Sequence, residues 1–167
     1  MKIYLAGPLG FSEAGRAFHD GTIVREIMRL GHVPLDPWAA SDLDAEIKAA
    51  AAIPYGEAKR AAWRQLNMWI GAKNCALIDA CDMVFAVLDG VDVDSGTAAE
   101  IGYAVAKNKP ILGYRGDFRL SADNEGSTVN LQVEYFIRAS GGEIVAAVAE
   151  LAPALARVAT GGSKGAG

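Results

Sequence analysis

The residues best placed to do chemistry lie in DGVDVDSGTAAEIGYA, residues 89–104, which sets three aspartates and a glutamate around a glycine turn that opens a helix. Backbone N–H groups at such a helix start can hold polar oxygens. Asp94 falls near the end of the preceding strand, and Glu100 follows within two helical turns, so both carboxylates can face one polar ligand. A purely structural reading competes. Thr97-x-x-Glu100 has the form of a capping box, and Asp94 or Ser95 could be an ordinary cap. Gly102 speaks for more than scaffolding, because glycine weakens a helix unless something must approach closely. Tyr4, in the middle of the first apolar run, either packs in the core or turns its hydroxyl toward a carboxylate.

These residues need a frame, and the pattern supplies one. Strands are expected at 2–6, 32–35, 82–88 and 110–114, with a brief one at 143–145. Helices are expected at 12–30, in two pieces across 39–62 broken at Ile53-Pro54, onward through Trp63, Leu66, Trp69 and Ile70 toward Ile78, at 95–107 and 130–138, and after the brief strand as a last helix to about Val158. Pro34 implies an edge or strand-end position for the second strand. Near-continuous apolar DMVFAVL reads as a strand covered on both faces. Alternation of this kind predicts an α/β, single-domain, doubly wound parallel sheet (flavodoxin-like or Rossmann-like) of about five strands with helices on both faces. The domain is expected over residues 1–159, followed by a flexible Gly-rich tail at 160–167. Segments 7–11, 36–39 and 89–97 should converge beyond the carboxyl ends of the strands, where such sheets bind ligands.

With 167 residues, 51% hydrophobic and 22% charged, the chain is an ordinary globular one. Its formal charge of −4 argues against a nucleic-acid polymer as partner. No segment reads as a signal peptide or a membrane span. Cys75 and Cys81 form no C-x-x-C pair and read as free thiols of a reducing compartment, so the expectation is a cytoplasmic protein. His19 and His32 show no metal-ligand spacing, and GPLGF lacks the residues of a phosphate loop, so neither a metal nor a cofactor is expected.

Four pieces in order, KIYLAGP, NCALIDACDMVFA, DSGTAAEIGYA and VNLQ near residue 130, resemble the nucleoside 2-deoxyribosyltransferase family across most of residues 2–138. The resemblance implies an enzyme that moves 2-deoxyribose between purine or pyrimidine bases by a retaining double displacement. Glu100 would be the nucleophile, Tyr4 would orient it, and Asp94 would bind sugar hydroxyls. It further implies a homo-oligomer in which Asn130 reaches a neighbour's sugar. Gln132 stands where many members have Met, a difference that bears on base contacts or subunit packing. Asn74 stands where some members have an acid, and an amide cannot protonate a leaving base, so either the base leaves with help from water or another acid or Asn74 only holds the base by hydrogen bonds; Asp79 is near in sequence, and Asp82 should point away from the mouth. Gly7, Phe11 and Gly96 are expected to line the pocket. Trp38 either stacks on the base or packs in the core, whereas Trp63 and Trp69 are expected in the helix core. Arg115, Asp117 and Arg119 read as a solvated ion-pair cluster. Two alternatives stand beside transfer: hydrolysis of 2-deoxynucleoside 5′-monophosphates within the same superfamily, which uses Ser and Arg near the first loop, and a non-catalytic nucleotide sensor.

Overall fold

The structure, a computed structural model, describes residues 1–39 and 42–161. Its centre is a parallel sheet of β1 (Lys2–Ala6), β2 (Val33–Leu35), β3 (Met83–Val87), β4 (Ile111–Tyr114) and β5 (Glu143–Val145). The strand order is β2-β1-β3-β4-β5. The order reverses between β1 and β3, so the crevice at their carboxyl ends is the switch point where this topology binds ligands. Pro34 lies on the edge strand, where its missing N–H leaves no ladder bond unmade on the open side. Every residue of β3 is buried, as a central strand between two helical layers requires.

One face packs Ile3, Leu5, Phe85 and Leu112 against Ile23 and Ile27 and against Leu151, Leu155 and Val158 of α7 (Leu151–Gly161). The other packs Tyr4, Val84, Ala86 and Ile111 against Ile78 of α4 (Glu57–Ala80), Ile101 of α5 (Ser95–Ala106) and Ile137 of α6 (Leu131–Ala139). The sheet is therefore doubly wound, with two separate apolar cores. Because side chains alternate along a strand, Ile3 and Leu5 serve the first core while Tyr4 faces α4 and α5.

Two elements depart from the expected pattern, one inside the first helix and one at the chain end, while the break at Ile53-Pro54 falls where it is expected. The helix across 13–29 consists of α1 (Glu13–Phe18), a π-helical segment His19–Val24 and α2 (Arg25–Arg29). The wider turn brings His19 and Ile23 inward together, and both are buried. An exposed helix, α3 (Asp44–Ala52), is followed after Ile53-Pro54 by α4, which runs 24 residues through Gly71 without a break. At the chain end, α7 extends to Gly161, so residues 160 and 161 are helical rather than tail; residues 162–167 lie outside the described residues. Among the described residues no helix is long and apolar enough to cross a membrane.

Candidate active site

At the switch point a cavity of about 650 Å³ opens, within the range that holds small organic ligands. The three strand-end segments do converge on it: Gly7 and Phe11 follow β1, Pro37 and Trp38 follow β2, and Asp94, Gly96 and Thr97 follow β3. α3 and α4 close the far side with Ile47, Trp63, Asn67, Ile70 and Asn74.

Glu100 lies on the first half of α5 and lines the cavity. One carboxylate oxygen, Oε1, accepts a hydrogen bond from the Tyr4 hydroxyl at 2.7 Å and another from Asn74 Nδ2 at 3.3 Å. The second oxygen, Oε2, has no partner among the described residues. Two donors on one oxygen restrict the carboxylate's rotation and leave the other oxygen uncommitted. Burial pushes the Glu100 carboxyl above the usual range; the Tyr4 bond pulls it down, the Asp94 charge pushes it up, and Asn74 pulls it down, with a net rise. Tyr4 is wholly buried. Burial, with the charge and hydrogen bond of Glu100, raises its phenol far above its ordinary value, so it stays a donor at any working pH.

Asp94 is the N-cap of α5. Its Oδ2 accepts from Thr97 N at 2.9 Å and from the Thr97 hydroxyl at 3.1 Å. This corrects the capping-box reading. The helix starts two residues before Thr97, which is itself buried inside the first turn, and Glu100 turns to Tyr4 rather than back to a cap.

The aromatic wall rests on a glycine. A Cβ at Gly10 would fall 2.0 Å from Trp38 Cδ2, so only glycine lets the indole lie there. Trp38 Nε1 donates to Gly7 O at 3.1 Å, and its ring meets Phe11 edge-on with centroids 4.7 Å apart. From below, Asp36 ties the loop down: its Oδ1 accepts from Trp38 N at 2.9 Å, and its Oδ2 pairs with buried His19 at 3.0 Å. His19, Asp20 and Asp36 are close enough to share a metal ion, but both Asp36 oxygens are already used in fastening this loop. Arg16 also lines the cavity, its Nε donating to Gly10 O at 2.6 Å.

The sequence profile of the family described as nucleoside 2-deoxyribosyltransferase matches residues 3–132. This chain belongs to the nucleoside 2-deoxyribosyltransferase family. Among solved structures, a 2-deoxyribosyltransferase from Leishmania mexicana is similar at 26% identity, covering 95% of this chain and 97% of its own, with a TM-score of 0.61. A conserved protein from Enterococcus faecalis shares the fold at 24% identity, with 93% and 97% covered and a TM-score of 0.67. A CMP N-glycosidase from Clostridium botulinum shares it at 17% identity, with 93% and 98% covered and a TM-score of 0.55. No curated protein matches the chain at the level of sequence.

Set out on the deoxyribosyltransferase frame, the expected residues divide. Glu100, Asp94, Asn74, Trp38, Gly7, Phe11 and Gly96 line one cavity, with Tyr4 directly behind Glu100. Asn130 and Gln132 do not line it. Asn130 caps α6, its Oδ1 accepting from Gln132 N at 3.0 Å and Val133 N at 3.3 Å, and Gln132 is exposed. Asp79 bonds to Lys107 and Tyr103, and Asp82 accepts from Lys2 N at the opposite end of the sheet. Trp63 is half-buried in the cavity wall and Trp69 is 46% exposed, so neither is helix core; Leu66 and Ile78 fill that role. Arg115 is not solvated either. It is 4% exposed and donates to Leu88 O, Gly90 O, Arg119 O and the Ser121 hydroxyl, while Asp117 and Arg119 form the ion pair. Reading from sequence missed Arg16 and Asn67. The signal for Asn67 was present: Trp63, Asn67, Ile70 and Asn74 recur at helical spacing on α4.

Proposed function

We propose that the protein transfers 2-deoxyribose between nucleobases, with Glu100 as covalent nucleophile. The observation that carries this reading is the asymmetric carboxylate of a cavity-lining side chain: Oε1 is held by Tyr4 and Asn74, and Oε2 has no partner among the described residues. Cleaving an N-glycosidic bond builds positive charge at the anomeric carbon. Oε2 attacks that carbon, the carbon–nitrogen bond breaks with its electron pair going to the base, and an ester to Glu100 forms. Asn74 serves as a donor to the carboxylate and not as an acid, so the departing base takes its proton from water. An incoming base then attacks the same carbon through a ring nitrogen, whose proton passes to water as the bond to Glu100 breaks and its electron pair returns to the carboxylate, giving net retention. Asp94 holds sugar hydroxyls through the oxygen that does not cap α5, and Phe11 and Trp38 flank the base. A neighbouring copy supplies Asn130 and Gln132, so the active species is a homo-oligomer in the cytoplasm, with 2-deoxynucleosides and free nucleobases as its ligands. Deoxyinosine incubated with adenine should yield deoxyadenosine in the β configuration. Free deoxyribose alone at every adenine concentration would overturn transfer.

Hydrolysis of a nucleoside 5′-monophosphate has one observation in its favour. The terminal nitrogens of Arg16 have no partner among the described residues and belong to a cavity-lining side chain. Ser12, by contrast, is spent on capping α1 through Gly15 N. Faster cleavage of deoxyinosine monophosphate than of deoxyinosine, with no need for an acceptor, is the outcome that would select this reading.

A further inference from the structure

We propose that Asn67 reads the far edge of the base and thereby selects purines over pyrimidines; the inference rests on the deoxynucleoside reading of the same cavity. Asn74 bonds to Glu100, so its level on α4 marks where the anomeric carbon sits. Asn67 lies seven residues earlier on the same face of α4 and also lines the cavity. At 1.5 Å rise per residue the two amides stand about 10 Å apart along the helix axis. Ile70 lies between them and Trp63 lies beyond, so an apolar surface runs under a flat ring with a hydrogen-bonding group at its end. A base joined to the anomeric carbon must extend away from Glu100, and the sugar hydroxyls take the Asp94 side. Two fused rings carry their polar edge toward Asn67, whereas a single ring stops over Ile70.

The chemistry of Asn67 suits that task. Its carboxamide offers one acceptor oxygen and two N–H donors, the pattern that pairs two-point with a purine edge. It makes no hydrogen bond among the described residues, so nothing in the fold uses it. Lys73, the nearby cation on the cavity wall, is occupied by Asp42 at 3.0 Å and does not compete for the edge. An exposed asparagine in the middle of a long helix contributes little to stability, because it is an indifferent helix former, so its removal isolates recognition from folding.

The test is calorimetric titration of adenine, hypoxanthine, cytosine and thymine into wild type, Asn67→Leu and Asn67→Ala, alongside acceptor kinetics. Purine affinity should fall at least about tenfold in both variants. The purine-to-pyrimidine ratio of kcat/KM should fall by a similar factor, with the loss carried by KM. Equal losses for both base classes, or a wild type that binds no purine, overturns the inference. The two readings fail separately. If transfer is seen but the ratio is unmoved, Asn67 is the error. If only hydrolysis is seen, transfer is the error, and the titration still reports on Asn67.

Discussion

The two walls of the cavity are built on opposite principles. On the sheet side, Tyr4 sits on β1 while Asp94 caps and Glu100 rides on α5, the helix that follows β3, and each is bonded to another protein group. On the hairpin side, Ile47, Trp63 and Asn67 project from α3 and α4 and are half-buried or exposed. The sheet wall is therefore preorganised for one geometry, as transition-state stabilisation requires. The hairpin wall has ligand-facing groups with few internal commitments, as a surface that sorts ligands requires. Reaction type and base choice should then be separable by mutation.

The sharpest break would come from Glu100→Gln. The amide oxygen can still accept from Tyr4, but the proposed nucleophile is gone, and kcat should fall by at least about a thousandfold. A folded-state pKa raised above the unfolded value means that Glu100 contributes stability only while protonated, and loses it as pH rises through that raised value. The variant should therefore melt no lower than wild type at neutral pH, by calorimetry. Near-normal turnover with a lowered melting point would dissolve the distinction between the walls. Next in size, Tyr4→Phe removes one hydrogen bond to a charged group, on the order of 1.5–3 kcal/mol. Steady-state kinetics should show roughly a ten- to hundredfold loss, mostly in kcat. On the hairpin side Trp63→Ala should act mainly on KM, by about tenfold if the ring stacks on the base; a loss confined to kcat would show that this wall takes part in chemistry. Last comes Asp94→Asn, read by its pH profile apart from the KM cost of replacing the oxygen proposed to hold sugar hydroxyls. Asparagine keeps the cap on α5, but the charge that helps to raise Glu100 is removed. The acid limb of the kcat/KM–pH profile should move to lower pH, and a shift to higher pH would contradict the electrostatics.

Much of the sheet wall was legible in the sequence because it is local. Apolar runs marked the strands, alternation implied parallel pairing, and parallel pairing brought 7–11, 36–39 and 89–97 together. What misled was also local. Thr97-x-x-Glu100 imitates a capping box, yet the helix begins earlier because Asp94 is a cap with better geometry. Gly102 suggested a ligand's close approach, but a Cβ there would only touch Phe136 of α6 at 3.6 Å, an ordinary contact. Trp63 and Trp69 look alike on an amphipathic helix, and only the position of α3 decides that one lines a cavity and the other meets solvent. The π-helical turn that buries His19 beneath Asp36 depends on a contact between residues 17 positions apart, which no periodicity displays.

Arg115 has a consequence for the conditions the site can tolerate. Its guanidinium ties the segment after β3, at Leu88 and Gly90, to the segment after β4, at Arg119 and Ser121, and every acceptor is a carbonyl or a hydroxyl. None of these partners is a carboxylate. A latch made with carboxylates would loosen in acid and weaken in concentrated salt. The Arg115 bonds use none, and they work beside the Asp89 carboxylate, whose Oδ1 accepts from Asp117 N across the same two segments at 2.9 Å, so the loop that delivers Asp94 is held by two fastenings of different chemistry.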